Sequence, residues 1–401
     1  MKIKMAWTVR TAVIKLPSSG FGILHKVTPN TKNIALMQAA FISTKYIRSL
    51  KPPPEHGCPK PYDYVNKRYG VFAQLFDRMM NRFHENSKII VVDGTIASGK
   101  TEVAKTLANE FDMLYSPAPD EEDLYIHESG YDLRKLNHKL PESLQLIDVE
   151  NFLKNPDHVN SGLFQINMYA ARYMQYILAL EHILNTGQGV VIERCPWGDT
   201  VFMDAMHKAG YVTTATLTSY REIMKNSLHY LMRPNLIVYL DAPVETVQQK
   251  IKQRGIPYEV NSKVLTKDYL QTIEKSTRIN YLKSLSSHAE ILIYDWSNGG
   301  DAGSIIEDIE QINFETERHD PKHADWKFDA VDSVRRRRVL YTNNKIELIN
   351  ALKVDEVWNP DLLITPEEDN KYRLVMDEME EELRYQKGYN HLKGDKVLWK
   401  L

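Results

Sequence analysis

Apolar residues between about positions 88 and 314 fall into two alternating rhythms. Short β-branched runs occur at Lys88-Ile89-Ile90-Val91-Val92-Asp93, Val190-Val191-Ile192-Glu193, Leu236-Ile237-Val238-Tyr239-Leu240-Asp241 and Ile291-Leu292-Ile293-Tyr294, with a weaker one over Asp112 to Tyr115. Near-continuous apolar runs of this length predict strands buried on both faces. Between them the spacing turns helical: Val103, Ala104, Leu107, Ala108 and Phe111 recur on one face. Phe164 to Leu184 is apolar on most faces, which predicts a buried central helix, ended by Gly187 and Gly189. Tyr69 to Phe83 reads as a short amphipathic helix leading into the first strand. Strands alternating with helices predict an α/β fold, a parallel sheet of about five strands with helices on both faces.

After Phe314 the alternation stops, and residues 315–401 form a C-terminal extension. It carries two apolar stretches around Leu348 and Leu362, an acidic helix candidate over Met376 to Arg384, and a basic run, Arg335 to Arg338, that reads as a solvated helix face. Its surface suits docking to a partner. His319 and His323 are four apart, but Pro321 between them opposes the helix that would aim both at one metal ion. Residues 55–87 serve as linker and N-terminal helix, and residues 88–314 as the α/β core.

Composition narrows the class. The chain has 401 residues, 43% hydrophobic and 26% charged, with a net charge of -2, which suits a globular protein and argues against a nucleic-acid partner. Cys58 and Cys195 are far apart and in no metal or redox spacing. No apolar run is long enough to form a transmembrane segment. From Met1 to Pro54 there is no acidic residue, while Lys2, Lys4, Arg10, Lys15 and further basic residues are spread among Ser, Thr and apolar positions. An acid-free, basic, hydroxyl-rich leader predicts a mitochondrial transit peptide over residues 1–54. Lys51-Pro52-Pro53-Pro54-Glu55 follows as a stiff spacer.

The strongest chemical signal is Gly94-Thr95-Ile96-Ala97-Ser98-Gly99-Lys100-Thr101, a Walker A pattern between a predicted strand and a predicted helix. Such a loop cradles phosphates. Its N–H groups and the positive helix end face the anion, Lys100 adds a point charge, and Thr101 offers a hydroxyl to Mg²⁺.

Several further segments resemble the deoxynucleoside kinase family in order and spacing. Glu193-Arg194-Cys195 is similar to that family's Asp/Glu-Arg-Ser motif, which implies that Glu193 serves Mg²⁺ and Arg194 contacts phosphate. Phe164-Gln165 resembles the Phe-Gln whose amide reads the base, giving Gln165 that role. Ile251-Lys252-Gln253-Arg254-Gly255 and Glu259 resemble the lid, which puts Arg254 and Glu259 at the nucleotide. The resemblance implies a P-loop kinase-like fold that binds a (deoxy)nucleotide, with Mg²⁺.

Three departures point away from catalysis. The family's Glu-Pro, whose carboxylate accepts the proton of the nucleoside hydroxyl, is Ala118-Pro119 here. An alanine methyl accepts no proton. Asp120, Glu121 and Glu122 are substitutes only if the backbone shifts. A sugar-binding tyrosine falls at Leu153, and a second lid arginine falls at Ile256. Asn185-Thr186-Gly187-Gln188-Gly189-Val190-Val191, Phe202-Met203-Asp204-Ala205-Met206, Tyr239-Leu240-Asp241-Ala242-Pro243, Tyr258-Glu259-Val260 and His288 to Trp296 resemble the kinase-like accessory subunits of mitochondrial respiratory complex I. That resemblance implies a non-catalytic, matrix-side peripheral subunit that supports assembly or stability, partnered by other complex I subunits. The alternative is an active mitochondrial deoxynucleoside kinase. FAD has been attributed to this subunit type, but no G-x-G-x-x-G fingerprint supports it here.

Overall fold

The structure is a computed structural model that describes residues 60–379, apart from 128, 315–319, 329 and 354–358, together with Leu383. The expected leader, Cys58 and His319 lie outside the described residues.

In chain order, α1 (Val71–Phe76) precedes β1 (Ile89–Gly94), α2 (Lys100–Glu110) and β2 (Leu114–Ser116). Then come α3 (Val149–Lys154), α4 (Ser161–Thr186), β3 (Val190–Glu193), α5 (Thr200–Lys208), α6 (Thr214–Leu228) and β4 (Leu236–Asp241). The core closes with α7 (Val244–Arg254), α8 (Pro257–Val260), α9 (Lys267–Ser276), β5 (Glu290–Asp295) and α10 (Ala302–Gln311). The extension adds α11 (Val331–Asn343), α12 (Lys345–Asn350) and α13 (Pro366–Glu378).

The five strands form one sheet in the order β2-β3-β1-β4-β5, with every neighbouring pair parallel. This is the predicted fold class. Alternate residues of each strand feed opposite cores. Ile89, Val91, Val190, Ile192, Ile237 and Tyr239 join the larger core with α4, α5, α6 and α9. Ile90, Val92, Val191, Leu236, Val238 and Leu240 face α2 and α10 in a smaller one. The connection after β1 runs past β3 to β2, and the connection after β3 runs past β1 to β4, so these two neighbouring strands lead off in opposite directions. That opens a crevice at the carboxyl ends of β1 and β3, where such sheets bind ligands.

The weak strand starts later than its sequence suggests. Asp112 sits in a left-handed turn at φ 51°, with Met113 N–H donating to the Ala108 carbonyl, so pairing begins at Leu114. Tyr69 to Phe83 is not one helix but α1 followed by a single turn over Met79–Asn81. The amphipathicity there is real but points outward: Val71, Phe72, Leu75 and Phe76 are all exposed. At the end of α4, Gly187 has φ 81°, and a Cβ there would lie 2.3 Å from the Arg82 carbonyl oxygen. Only glycine fits this approach.

The basic run is not a solvated face. Arg338 is 0% exposed; its Nε donates to Asn185 Oδ1 at 2.8 Å and its guanidinium pairs with Asp77. Arg337 donates to the Asp325 carbonyl and Arg335 pairs with Asp332, which leaves Arg336 exposed. Val334, Tyr341, Leu348 and Leu352 join the larger core, so this part of the extension completes the chain's own packing. Of the acidic helix candidate, Met376 to Glu378 form the end of α13, which starts earlier, at a Thr365 capping box, and residues 380–382 and 384 lie outside the described residues. Val375 and Met379 pack on Leu136, Leu140 and Leu144.

Candidate phosphate site

β1 ends in the glycine loop, and α2 begins at Lys100. Ala97 (φ 58°) and Gly99 (φ 79°) take left-handed conformations, curling the loop so that successive amides turn inward. Among the described residues, the N–H groups of Ile96, Ala97, Ser98 and Gly99 have no hydrogen-bond partner. Unpaired amides at a helix N-terminus fit a phosphate. Lys100 Nζ folds over the loop, donating to the Thr95 carbonyl at 2.8 Å and to Ser98 Oγ at 3.3 Å. Burial, helped by nearby Arg194, pushes the Lys100 ammonium down to about 7, and Arg254 lies close enough to add to the effect.

Glu193 and Arg194 follow at the end of β3. Glu193 Oε2 accepts from Thr101 Oγ1 at 3.1 Å, and Oε1 accepts from the Tyr115 hydroxyl. Arg194 has φ 61°, unusual for a residue other than glycine, and this turns its side chain back across β1. Its guanidinium meets Asp93 Oδ1 at 3.1 Å and stands 5.0 Å from the Phe202 ring centroid. Asp93, Thr95, Ile96, Arg194, Phe202 and Tyr281 are among the residues lining a narrow cleft.

Gln165 is one layer further in. Its Nε2 donates to Asp199 Oδ2 at 2.8 Å, an oxygen that also accepts from the Tyr220 hydroxyl at 2.6 Å. Arg172 pairs with the same buried carboxylate and lies 5.3 Å from the Phe202 centroid. Burial, then Arg194, pulls the Arg172 guanidinium down to about 10. Sequence reasoning missed Arg172, Asp199 and Tyr115. A signal existed for the first: Arg172 is seven residues after Gln165, two turns along the same face of a mostly apolar helix.

Arg254 and Glu259 are not on the glycine loop. They pair with each other at the end of α7 and in α8, Arg254 Nε to Glu259 Oε2 at 3.0 Å, with Arg254 exposed. Ile256 sits between them as the residue before α8.

The three departures are each accounted for locally. Ala118 is exposed in the turn after β2. Asp120 Oδ1 accepts from Glu121 N–H at 2.6 Å, and Glu121 Oε1 accepts from Val149 N–H at 2.7 Å with Arg134 at 3.8 Å. Glu122 opens a one-turn helix, Glu122–Tyr125. None of these residues lines the cleft. Leu153 is buried in the larger core.

A parallel sheet whose central strand runs through a glycine loop into a helix, with a lysine on the loop and an acid-arginine pair beside it, defines a P-loop phosphate-binding domain. The chain belongs to the deoxynucleoside kinase family, whose model matches residues 90–323. It is 33% identical over 337 residues to NADH dehydrogenase (ubiquinone) 1 alpha subcomplex subunit 10, mitochondrial, of Mus musculus, covering 83% of this chain and 89% of that protein. It is 24% identical to deoxyguanosine kinase of Dictyostelium discoideum, covering 58% and 73% respectively. Among solved structures, deoxyadenosine kinase from M. mycoides with bound dATP matches 55% of this chain and 96% of that one, at 19% identity and a TM-score of 0.42.

Proposed function

We propose that this chain is an accessory subunit of mitochondrial respiratory complex I, peripheral on the matrix side of the inner membrane, that supports assembly or stability and does not transfer phosphate. The observation that carries this reading is the extent of similarity. The match to the mouse complex I subunit spans 83% of the chain, while the match to a kinase spans 58%. Among the described residues no helix is long and apolar enough to cross a membrane, so attachment would be through neighbouring subunits.

The site chemistry supports the second half. Phosphoryl transfer needs a positioned proton acceptor, and Ala118 supplies none, while Glu121 is held by Val149 and Arg134. The loop, Lys100 and Arg194 suit a (deoxy)nucleotide retained as a structural ligand. FAD is not proposed, because the loop spacing is that of a phosphate cradle and the dinucleotide fingerprint is missing. A ligand that binds only the folded chain stabilises it by about 2.7 kcal/mol at a hundred times its Kd.

Depletion tests the proposal. Assembled complex I on native gels and rotenone-sensitive NADH:ubiquinone activity should both fall, and the protein should co-migrate with the complex. Robust deoxynucleoside phosphorylation by the purified chain, with complex I unaffected by its loss, would establish the kinase instead.

A further inference from the structure

Helix α1 carries its apolar face outward. Phe72 and Phe76 are 80% and 76% exposed, Val71 and Leu75 lie on the same face, and the half-buried Ala73 and Gln74 turn inward. A surface helix ordinarily does the reverse. Beyond Val65, the other exposed large apolar side chains, such as Ile126, Val159, Ile293 and Ile346, are scattered singly, as is usual. The orientation of α1 is fixed from both ends. Tyr69 before it and Met79 after it are buried, Gln74 Nε2 donates to the Tyr69 carbonyl at 3.2 Å, and Asp77 is held by Arg82 and Arg338. Charge around the face is one-sided. Lys60, Lys67, Arg68 and Arg78 are exposed, against one exposed acid, Asp63.

We propose that α1 is a rigid plug that seats in an apolar, acid-rimmed recess of a neighbouring protein subunit. The inference rests on the complex I reading above and names the part of the chain that makes the contact. Aromatic anchors with arginine beside them are the composition of an interface centre. The two phenyl rings alone offer roughly 230–390 Å², and Val71 and Leu75 carry the patch toward the upper end of the 300–600 Å² or so that monomers expose in one place. A free-standing pair of identical chains needs about 800 Å² on each side, and two copies of α1 would bring two cationic rims together, so a second copy is a poor occupant. Residues 1–54, which hold no acid, would be repelled in the same way. A bilayer asks for no fixed geometry, whereas this helix is held in one orientation, the preorganisation that a shaped recess rewards. Carboxylates around that recess would meet Lys67, Arg68 and Arg78.

The test is re-expression in cells depleted of the protein, read as the amount that co-migrates with assembled complex I on native gels. Phe72→Asp/Phe76→Asp should enter the complex at least about fivefold less than wild type. Arg68→Glu/Arg78→Glu should enter at least about twofold less. Ile346→Asp, a similarly exposed apolar position on α12, should enter as wild type does. Thermal midpoints of the purified proteins should stay within about 2 °C of wild type, because every changed side chain is exposed, and this separates lost docking from lost folding. A photo-crosslinking amino acid in place of Leu75 should mark one other subunit of the complex, at a peptide containing Asp or Glu, and it decides the matter should a variant's midpoint fall. Wild-type incorporation of the Phe72→Asp/Phe76→Asp protein would overturn the inference while leaving the complex I reading standing. So would a crosslink from position 75 to a second copy, or binding to vesicles of phosphatidylcholine and phosphatidylglycerol that this variant loses. Failure of wild type itself to enter complex I would overturn both.

Discussion

The guanidinium of Arg338 lies 3.8 Å from the ring centroid of Tyr69 and is ion-paired with Asp77, so a helix of the extension is locked onto the segment that precedes β1. Tyr62 covers the same cation at 4.9 Å, and Asn343 Nδ2 adds a bond to the Tyr69 carbonyl at 2.8 Å.

Truncating Arg338 to Ala should destabilise the chain by about 3 kcal/mol in denaturant unfolding, near the lower end for breaking a buried pair because Arg82 still holds Asp77 at 2.8 Å. Arg338→Lys should recover little, since one ammonium cannot reach Asp77 and Asn185 as a fork. Burial raises the Asp77 carboxyl, but hydrogen bonds from Arg82 and Arg338 outweigh it and leave the group below its ordinary value. Its folded pKa is therefore depressed. The stability it contributes is present above the unfolded value, about 3.9, and is lost as pH falls through the lower folded value. The variant should lose less stability than wild type over that acid window.

Lys100 gives a different pH signature. In the free protein its ammonium is pushed down to about 7, well below the roughly 10.4 of an unfolded lysine. Between those values the unfolded chain binds more protons, so this group makes stability rise with pH. A bound phosphate favours the charged form. Nucleotide binding above pH 7 should thus take up a proton, and affinity should fall as pH rises. Calorimetry in buffers of different ionisation enthalpy reads the uptake directly. Lys100→Ala should abolish it and weaken binding by about 1.5–3 kcal/mol, the range for a charge-assisted hydrogen bond.

Ala118→Glu tests the missing base. Position 118 is exposed, so the change should alter stability by less than about 0.5 kcal/mol and leave complex I assembly intact in re-expressing cells. It should not create a working kinase, because Leu153 is core and Ile256 carries no charge. A large rise in deoxynucleoside phosphorylation from this one change would show that the rest of the catalytic site is complete.

Gly187→Ala should cost about 2 kcal/mol or more, because it combines a left-handed φ of 81° with a methyl driven into the Arg82 backbone. The thermal midpoint reads this, and Gly210→Ala, also left-handed but with open space around it, separates the conformational part from the clash.

The sheet was legible because a parallel strand buried on both faces leaves an apolar run in the sequence, and β3 and β4 match their runs residue for residue. The glycine loop was legible because its chemistry is local. What failed was whatever depends on partners distant in sequence. Four consecutive arginines read as solvated, since nothing nearby announces Asp77 and Tyr69. Arg172 and Asp199 were hidden in the same way, as a buried pair contributed by two separate elements. In α1 the periodicity was read correctly and its direction was not, because spacing identifies an apolar face without saying what that face meets.

The lock around Arg338 also sets an order in time. Asp77 and Arg338 are 261 residues apart, and a ribosome adds roughly 5–20 residues per second, so the acid, already paired with Arg82, waits on the order of 13–50 s for its second cation. Until then Asp77 has Arg82, but no guanidinium lies against the rings of Tyr62 and Tyr69. A chain that stops near Phe314 never acquires one. Proteases should cut such a fragment around residues 60–82 while sparing the finished protein, so this single contact reports whether the C-terminal extension has been made and put in place.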